Sequence, residues 1–325
     1  MVATSGHACV REYLLDRIAQ LNLQPYGKLG FHATYHADGM DGHNLFGVVP
    51  GRDRLLPPLL LGAHYDSVIA SPCADDNAAA VAIALAVAHA VPPGQLQRDL
   101  LFAFFDAEEP PWFLSDAMGS IRFYEDQMDP RGVHCAVVLD LVGHDVEVGV
   151  PGLGTSGTER LKGLLFMTGA ESHPSLTNVV RAAPRIPNLP LVAISNHYID
   201  DMSDHGVFRR NDVPYLFLSC GRWEHYHQPS DTPDRLNYDK MEHVASLLKT
   251  LLYGLDAAEL ERSEHRDPGL PDPHARVDTL ALELETMRHG LGEALPLLAM
   301  LTGCGNLESR ADIDRLAIAL ITQGL

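Results

Sequence analysis

The stretch Leu59-Leu60-Leu61-Gly62-Ala63-His64-Tyr65-Asp66-Ser67 runs an unbroken set of apolar and small residues straight into side chains able to hold a metal. So short an apolar run, without alternation, reads as a strand buried on both faces, and such strands belong to parallel sheets covered by helices. The pattern recurs. Leu100-Leu101-Phe102-Ala103-Phe104-Phe105 leads into Asp106-Ala107-Glu108-Glu109-Pro110-Pro111, and Ala136-Val137-Val138-Leu139 leads into Asp140. Further apolar runs at 164–167 and 215–218 complete the predicted strands. Helical patterns at 78–91, 115–126 and 174–182 separate several of them, and another follows at 238–255. An amphipathic helix over 10–21, with Val10, Leu14, Ile18 and Leu21 at helical spacing, opens the chain. Strands alternating with helices predict an α/β fold: a doubly wound, mainly parallel sheet flanked by helices.

Residues 262–274 are rich in proline and charge (Glu264-His265-Arg266-Asp267-Pro268-Gly269-Leu270-Pro271-Asp272-Pro273), which reads as a linker. Beyond it Val277, Leu280, Leu284, Met287, Leu291 and Leu298 fall on a coiled-coil-like spacing that Gly290, Gly292 and Pro296 interrupt. The expected organisation is a main domain over 1–258, a linker over 259–275 and a helical C-terminal appendage over 276–325. The appendage would pack on the main domain or on a second subunit, which makes a homo-oligomer through these helices an expectation.

With 325 residues, 46% of them hydrophobic and 21% charged, the chain is long enough to bury a sizeable core. Its 24 Lys and Arg against 43 Asp and Glu leave a formal charge of −19, so neither nucleic acid nor an anionic membrane surface is an expected partner. The five cysteines (Cys9, Cys73, Cys135, Cys220, Cys304) are scattered and odd in number, which disfavours a disulfide framework or a thiolate metal site. Met1 to His7 lack the basic-then-apolar order of a secretory leader. A cytoplasmic location is therefore the expectation, or a secreted one if a leader has been trimmed.

In open parallel sheets, ligands gather where strands reach their carboxyl ends. There this sequence places His64 and Asp66, Glu108 and Glu109, and Asp140. Two more clusters are Ala74-Asp75-Asp76-Asn77, before the alanine-rich helix, and Tyr226-His227-Gln228-Pro229-Ser230-Asp231-Thr232. Taken singly, each has an ordinary reading: a solvated loop residue, a helix N-cap at Asp75 or Asp76, a turn at Asp231-Thr232. Their coincidence at one sheet edge points to a metal site. Imidazoles and carboxylates without thiolate suit zinc or a related divalent ion. So many ligands exceed one tetrahedral shell, so a pair of ions about 3.5–4 Å apart with a bridging carboxylate is the natural arrangement. Glu108 and Glu109, if extended, should point opposite ways, one to metal and one to water, with Pro110 holding Glu109 extended.

The order H-x-D, A-D-D-N, E-E, L-D and Y-H-x-P-x-D-T resembles that of the M28 zinc peptidases over roughly residues 10–255. Glu108-Glu109-Pro110-Pro111-Trp112-Phe113 followed by Met118-Gly119-Ser120 is similar to a form common among bacterial members. The resemblance implies a zinc exopeptidase-like fold and two Zn2+ ions. It makes His64 and Asp140 ligands of one zinc, Glu109 and His227 ligands of the other, and Asp76 the bridge. Asp66 would accept the imidazole N–H of His64, Glu108 would be the general base, and Tyr226 would hydrogen-bond the developing oxyanion. A cis peptide is implied after Asp76. The implied activity removes N-terminal residues from peptides with a zinc-activated water, on a peptide or small amide substrate.

Trp112, Phe113 and Tyr198 are candidates to line the substrate pocket, with core packing as the competing reading. Asp204, in Ser203-Asp204-His205, reads as a group supporting the ligands or capping a helix. By alternation His225 should face away from His227. The sequence also resembles glutaminyl cyclases, which use one zinc to close an N-terminal Gln on its own amine, with Asp204 in the place of their proton-relay acid. The peptidase-like Ala74-Asp75-Asp76-Asn77-Ala78, and Tyr rather than Trp before His227, favour the peptidase. A hydrolase acting on non-peptide amides and a non-catalytic binding protein are the remaining alternatives; no ligand or base is missing, which weighs against the last.

Overall fold

In the computed structural model the described residues are 2–68, 71–147, 149–261 and 266–322. Among them eight strands, β1 (His32–Ala37), β2 (Met40–Val49), β3 (Leu59–His64), β4 (Leu100–Phe105), β5 (Cys135–Leu139), β6 (Leu165–Thr168), β7 (Leu191–Ala193) and β8 (Tyr215–Ser219), form one sheet. Its order is β1-β2-β4-β3-β5-β8-β6-β7. The centre β4-β3-β5-β8 is parallel, as is the pair β6-β7; β1-β2, β2-β4 and β8-β6 are antiparallel, so the sheet is mixed. The helices are α1 (Ser5–Gln20), α2 (Ala79–Ala90), α3 (Gly119–Arg122), α4 (Thr155–Lys162), α5 (Pro174–Arg181), α6 (His205–Arg210), α7 (Tyr238–Ala257), α8 (Leu280–Leu291), α9 (Ala294–Leu301) and α10 (Arg310–Thr322). None is long and apolar enough to cross a membrane.

Both faces of the central strands are covered. Leu59, Leu61, Ala63, Phe102 and Phe104 point to the side that carries α2 and α7, where Ile83, Val87, Leu248 and Leu252 are buried with them. The alternate residues Leu60, Leu101, Ala103 and Phe105 meet Ile121 of α3 and Phe208 of α6 on the other side. This is the period-two pleat of a strand working on a doubly covered sheet. The five strands expected from the sequence are all present within a residue or so, except that β3 extends through His64 itself.

Where the helix expected at 115–126 should begin, the chain instead turns, and α3 starts only at Gly119. A Cβ on that glycine would stand 2.4 Å from both Asn44 Oδ1 and Asp106 O, so the backbone approaches the end of β4 too closely for a side chain. The Gly119 N–H donates to Asp106 O at 2.7 Å across this approach.

The C-terminal helices cover the edge strand β7. Ala193 N–H donates to Thr286 Oγ1 at 3.0 Å, and a Cβ on Gly290 would lie 2.7 Å from Val192 Cγ2, so α8 lies close against the strand. Covering an edge in this way removes a template for unwanted pairing. A buried bidentate pair between Arg209 and Asp272 (3.0 and 2.8 Å) and two backbone N–H groups, of Arg276 and Val277, donating to Glu171 O hold the segment before α8. Within the expected linker, Arg262, Ser263, Glu264 and His265 lie outside the described residues.

Candidate metal centre

Strands β4, β3 and β5 are parallel neighbours, so their carboxyl ends lie side by side roughly 4.8 Å apart. That register brings His64, the Asp106–Glu109 turn and Asp140 to one place. The Ala74–Ala78 loop reaches over them, and Asn77 Nδ2 donates to Leu139 O at 2.9 Å, fixing it to the end of β5. The Asp76–Asn77 peptide is cis. Asp231, fully buried, ties in the remaining loop: its two oxygens accept the N–H groups of Asp75 (2.9 Å) and Asp76 (3.2 Å).

The side chains then converge. His64 Nε2 lies 3.3 Å from Asp76 Oδ1, 3.8 Å from Asp140 Oδ1 and 3.9 Å from Glu108 Oε2. His227 Nε2 lies 3.1 Å from Asp76 Oδ2 and 3.0 Å from Glu109 Oε2. Three sets of donor atoms, His64-Asp76-Asp140, His64-Glu108-Glu109 and Asp76-Glu109-His227, each fall within 4.8 Å. Asp76 belongs to the first and the last, one oxygen facing each histidine.

These residues fit a metal. His64 Nε2, Asp76 Oδ2, Glu109 Oε1, Asp140 Oδ1 and His227 Nε2 are buried polar atoms with no hydrogen-bond partner of proper geometry. Leaving such atoms unmatched is costly, and divalent cations with nitrogen and oxygen ligands would satisfy them together. The electrostatics agree. Burial pushes the Glu108 carboxyl well above its ordinary value, against the pull of His64 and with the help of Asp140, Asp204 and Glu109. Glu109 is raised too, by burial and then by Asp76, while Asp140 is raised mainly by burial. Burial would lower the His64 imidazole, but the surrounding carboxylates outweigh it and raise it. So dense an anionic site is one that cations relieve.

One sequence-based expectation needs correction, and of the two readings of Asp204 the helix cap falls while the group supporting the ligands stands. Glu108 and Glu109 do not splay to opposite sides, because β4 ends at Phe105 and Ala107 is left-handed (φ 56°), so the alternation of extended backbone does not apply to them. Asp204 stands at the N-cap of α6 but its side chain makes no capping bond; its own backbone is already helical (φ −53°, ψ −21°). The carboxyl is instead fully buried within electrostatic reach of His64 and Asp140, and burial raises its pKa to about 7.

The other candidates sit as follows. Asp66 Oδ1 is 3.4 Å from His64 Nδ1, and its two oxygens accept the backbone N–H groups of Glu108 (3.0 Å) and Glu109 (3.1 Å). The Tyr226 ring stacks on His227 with centroids 3.8 Å apart, and the Arg222 guanidinium lies over the Tyr226 ring, 4.8 Å from its centroid. His225 Nδ1 lies 2.9 Å from Ser230 Oγ and its Nε2 3.6 Å from Glu224 Oε1. Trp112 packs against the cluster of Val2, Met40, Ala107 and Ala117, and Phe113 against that of Phe105 and Phe208. Tyr198 lies beyond β7, its hydroxyl donating to Asp314 of α10 at 2.7 Å.

Two positioning residues escaped the sequence reading. Asp231 stands in the last cluster and in the Y-H-x-P-x-D-T order without a role of its own, and His144 was unremarked. His144 is buried with Nδ1 2.6 Å from Asp75 Oδ2, and its ring stacks on Trp223 at 4.7 Å. No signal short of the folded chain pairs these residues, because their partners lie far away in sequence.

An eight-stranded α/β sheet with His64 at the end of β3 and His227 in the loop beyond β8, both facing Asp76, defines a protein of the zinc exopeptidase fold. Residues 44–252 match peptidase family M28, and the chain belongs to that family. It is 29% identical over 217 residues to the uncharacterized protein YfbL of Escherichia coli K12, covering 61% of this chain and 67% of that protein. Its fold is similar to that of BSAP, a zinc aminopeptidase from Bacillus subtilis (TM-score 0.53, 19% identity, 69% of this chain and 53% of the other). It is also similar to the glutaminyl cyclase of Bacteroides thetaiotaomicron (TM-score 0.56, 17% identity, 79% and 91%). The chain thus spans about half the length of BSAP.

Proposed function

We propose that this chain is a metal-dependent hydrolase that removes N-terminal residues from peptides, with Glu108 as general base. The observation that carries this reading is Asp76, whose two oxygens face His64 at 3.3 Å and His227 at 3.1 Å, the arrangement a bridging carboxylate of a paired site requires. His64 and Asp140 would hold one zinc and Glu109 and His227 the other. Zinc bound there supplies Lewis acidity, polarising the scissile carbonyl and making water acidic enough to lose a proton near neutral pH.

The chain's own residues do the rest. Glu108, buried and 3.9 Å from His64 Nε2, takes a proton from the attacking water and passes it to the leaving amine. Asp66 sets the backbone from which Glu108 and Glu109 project. Tyr226, beside His227, donates to the oxygen on which charge develops. The acidic cluster attracts the free α-amine of a peptide and so favours removal of one residue at a time.

The second reading is a glutaminyl cyclase using one zinc. Asp204 favours it: a buried carboxyl with a pKa near 7, close enough to influence Glu108, suits a proton relay. A zinc-loaded sample incubated with a short peptide beginning Gln-Leu, with and without chelator, separates the two by mass spectrum. Chelator-sensitive loss of whole residues is the expected result. Loss of ammonia alone would establish the cyclase, and an intact peptide would send the search to non-peptide amides.

A further inference from the structure

Around His64 and His227 the metal centre gathers carboxylates: Asp66, Asp76, Glu108, Glu109 and Asp140. Such a site draws the amine of a peptide and opposes any carboxylate that the same molecule carries. A cation stands beside it. Arg222 belongs to the loop between β8 and His227, and its guanidinium carbon lies 4.8 Å from the centre of the Tyr226 ring. That ring in turn stacks on the His227 imidazole, centroids 3.8 Å apart.

The loop is tied to the site. Cys220 N–H donates to Leu141 O at 2.7 Å, next to the candidate ligand Asp140, and Tyr226 N–H donates to Trp223 O at 3.1 Å. Arg222 is exposed, and among the described residues its guanidinium has no carboxylate partner. Glu224, two residues on, faces His225 Nε2 at 3.6 Å instead. A guanidinium resting on an aromatic ring loses none of its N–H donors, and their fork matches a carboxylate in two parallel hydrogen bonds. The lengths agree. Together the two spacings leave the guanidinium within about 9 Å of the His227 imidazole, and a residue spans about 3.5 Å, with about 2.8 Å more for a charge-assisted hydrogen bond. A carboxylate one residue beyond a scissile bond held at the metal centre therefore comes within reach of Arg222.

We propose that Arg222 is a specificity-determining residue that binds a substrate carboxylate one residue beyond the scissile bond. The free C-terminus of a dipeptide and an acidic side chain at the second position present this same chemistry. The proposal rests on the hydrolase reading for its substrate, and a binding measurement separates the two. Zinc-loaded full-length chain is given Ala-Leu against Ala-Leu-amide, and Ala-Asp-amide against Ala-Asn-amide, and kcat/KM is compared within each pair. The acid should be favoured by about tenfold or more in at least one pair, chiefly through KM, the scale of hydrogen bonds to charged groups. A preference in the first pair identifies the C-terminus, and one in the second identifies the side chain. Arg222→Ala should bring that ratio close to one. Arg222→Lys, which keeps the charge but not the fork, should retain part of it. Arg235→Ala, which removes another exposed arginine, should leave the ratio at the wild-type value.

Calorimetry with analogues of all four peptides, in which CH2–NH replaces the scissile amide, reads binding without turnover. The wild type should bind the acid of the same pair about tenfold more tightly, and Arg222→Ala should lose that difference. No preference for the acid in either pair would overturn the proposal. So would a preference that Arg222→Ala leaves intact or that Arg235→Ala removes equally. If nothing is cleaved while an acid analogue still binds more tightly through Arg222, the assignment of Arg222 stands and the hydrolase reading falls.

Discussion

Asp66 holds the backbone of Glu109: its Oδ2 accepts the Glu109 N–H at 3.1 Å, while its other oxygen accepts that of Glu108 and stands 3.4 Å from His64 Nδ1. One buried carboxylate thus sets the geometry of a histidine from β3 and of two glutamates beyond β4. Replacing it by Ala should leave two N–H groups unmatched and free the His64 ring. Asp66→Ala is expected to lower zinc affinity about 10–100-fold, the scale seen when groups orienting metal ligands are lost. Competition against a zinc-binding dye measures this, and unchanged affinity would mean that Asp66 is dispensable to the ligand geometry.

Glu108→Gln separates metal binding from proton transfer. Gln fills the same space and accepts hydrogen bonds but cannot take a proton. Hydrolysis should fall by roughly 10²–10⁴-fold, the usual worth of a positioned acid–base group, while zinc content stays that of the wild type. Parallel metal analysis and kinetics give both numbers. A variant that keeps most of its turnover would remove Glu108 from the mechanism.

Away from the centre, Glu171 should make stability depend on pH. It is buried under the segment that leads into α8, accepts the Asn196 N–H at 2.5 Å, and burial raises its pKa to about 7 from 4.5. Below pH 4.5 it is protonated whether folded or unfolded and has no effect. As pH rises toward 7 only the unfolded chain releases the proton, so stability falls, and above 7 the loss is constant. At about 1.4 kcal/mol per unit the total is about 3 kcal/mol. Glu171→Gln should abolish this part. Urea unfolding at pH 5 and pH 8 should show a smaller decline with pH for the variant than for the wild type; equal declines would mean the carboxyl is ionised in the fold.

Much of the centre was legible in the sequence because apolar strand runs end in their ligands. Leu59–His64, Leu100–Phe105 and Cys135–Leu139 announce both the strands and the edge at which His64, Glu108, Glu109 and Asp140 meet. Strand β1 was not legible, since His32, Thr34 and His36 make it polar and half-exposed, nor was β7, which has three residues; β2 is almost wholly buried, and its apolar run at 45–49 was a signal passed over. Periodicity near Leu280 showed helices but not that they close over β7. The pairings Asp231 with Asp75 and Asp76, and His144 with Asp75, depend on how distant loops meet, and local pattern carries no record of that.

Asp231 offers a test of such pairing. Asp231→Ala strips acceptors from two buried N–H groups beside Asp76. Each unmatched buried donor costs about 1–3 kcal/mol, so a clear drop in the urea midpoint is expected. An unchanged midpoint would show that the loop rearranges without penalty.

The paired site itself is tested most directly by counting metal. Native mass spectrometry of the zinc-loaded chain should show two zinc ions bound, with His64→Ala and His227→Ala each retaining one. A wild type that binds no zinc, or only one ion insensitive to His227→Ala, would contradict the paired centre on which the hydrolase reading is built.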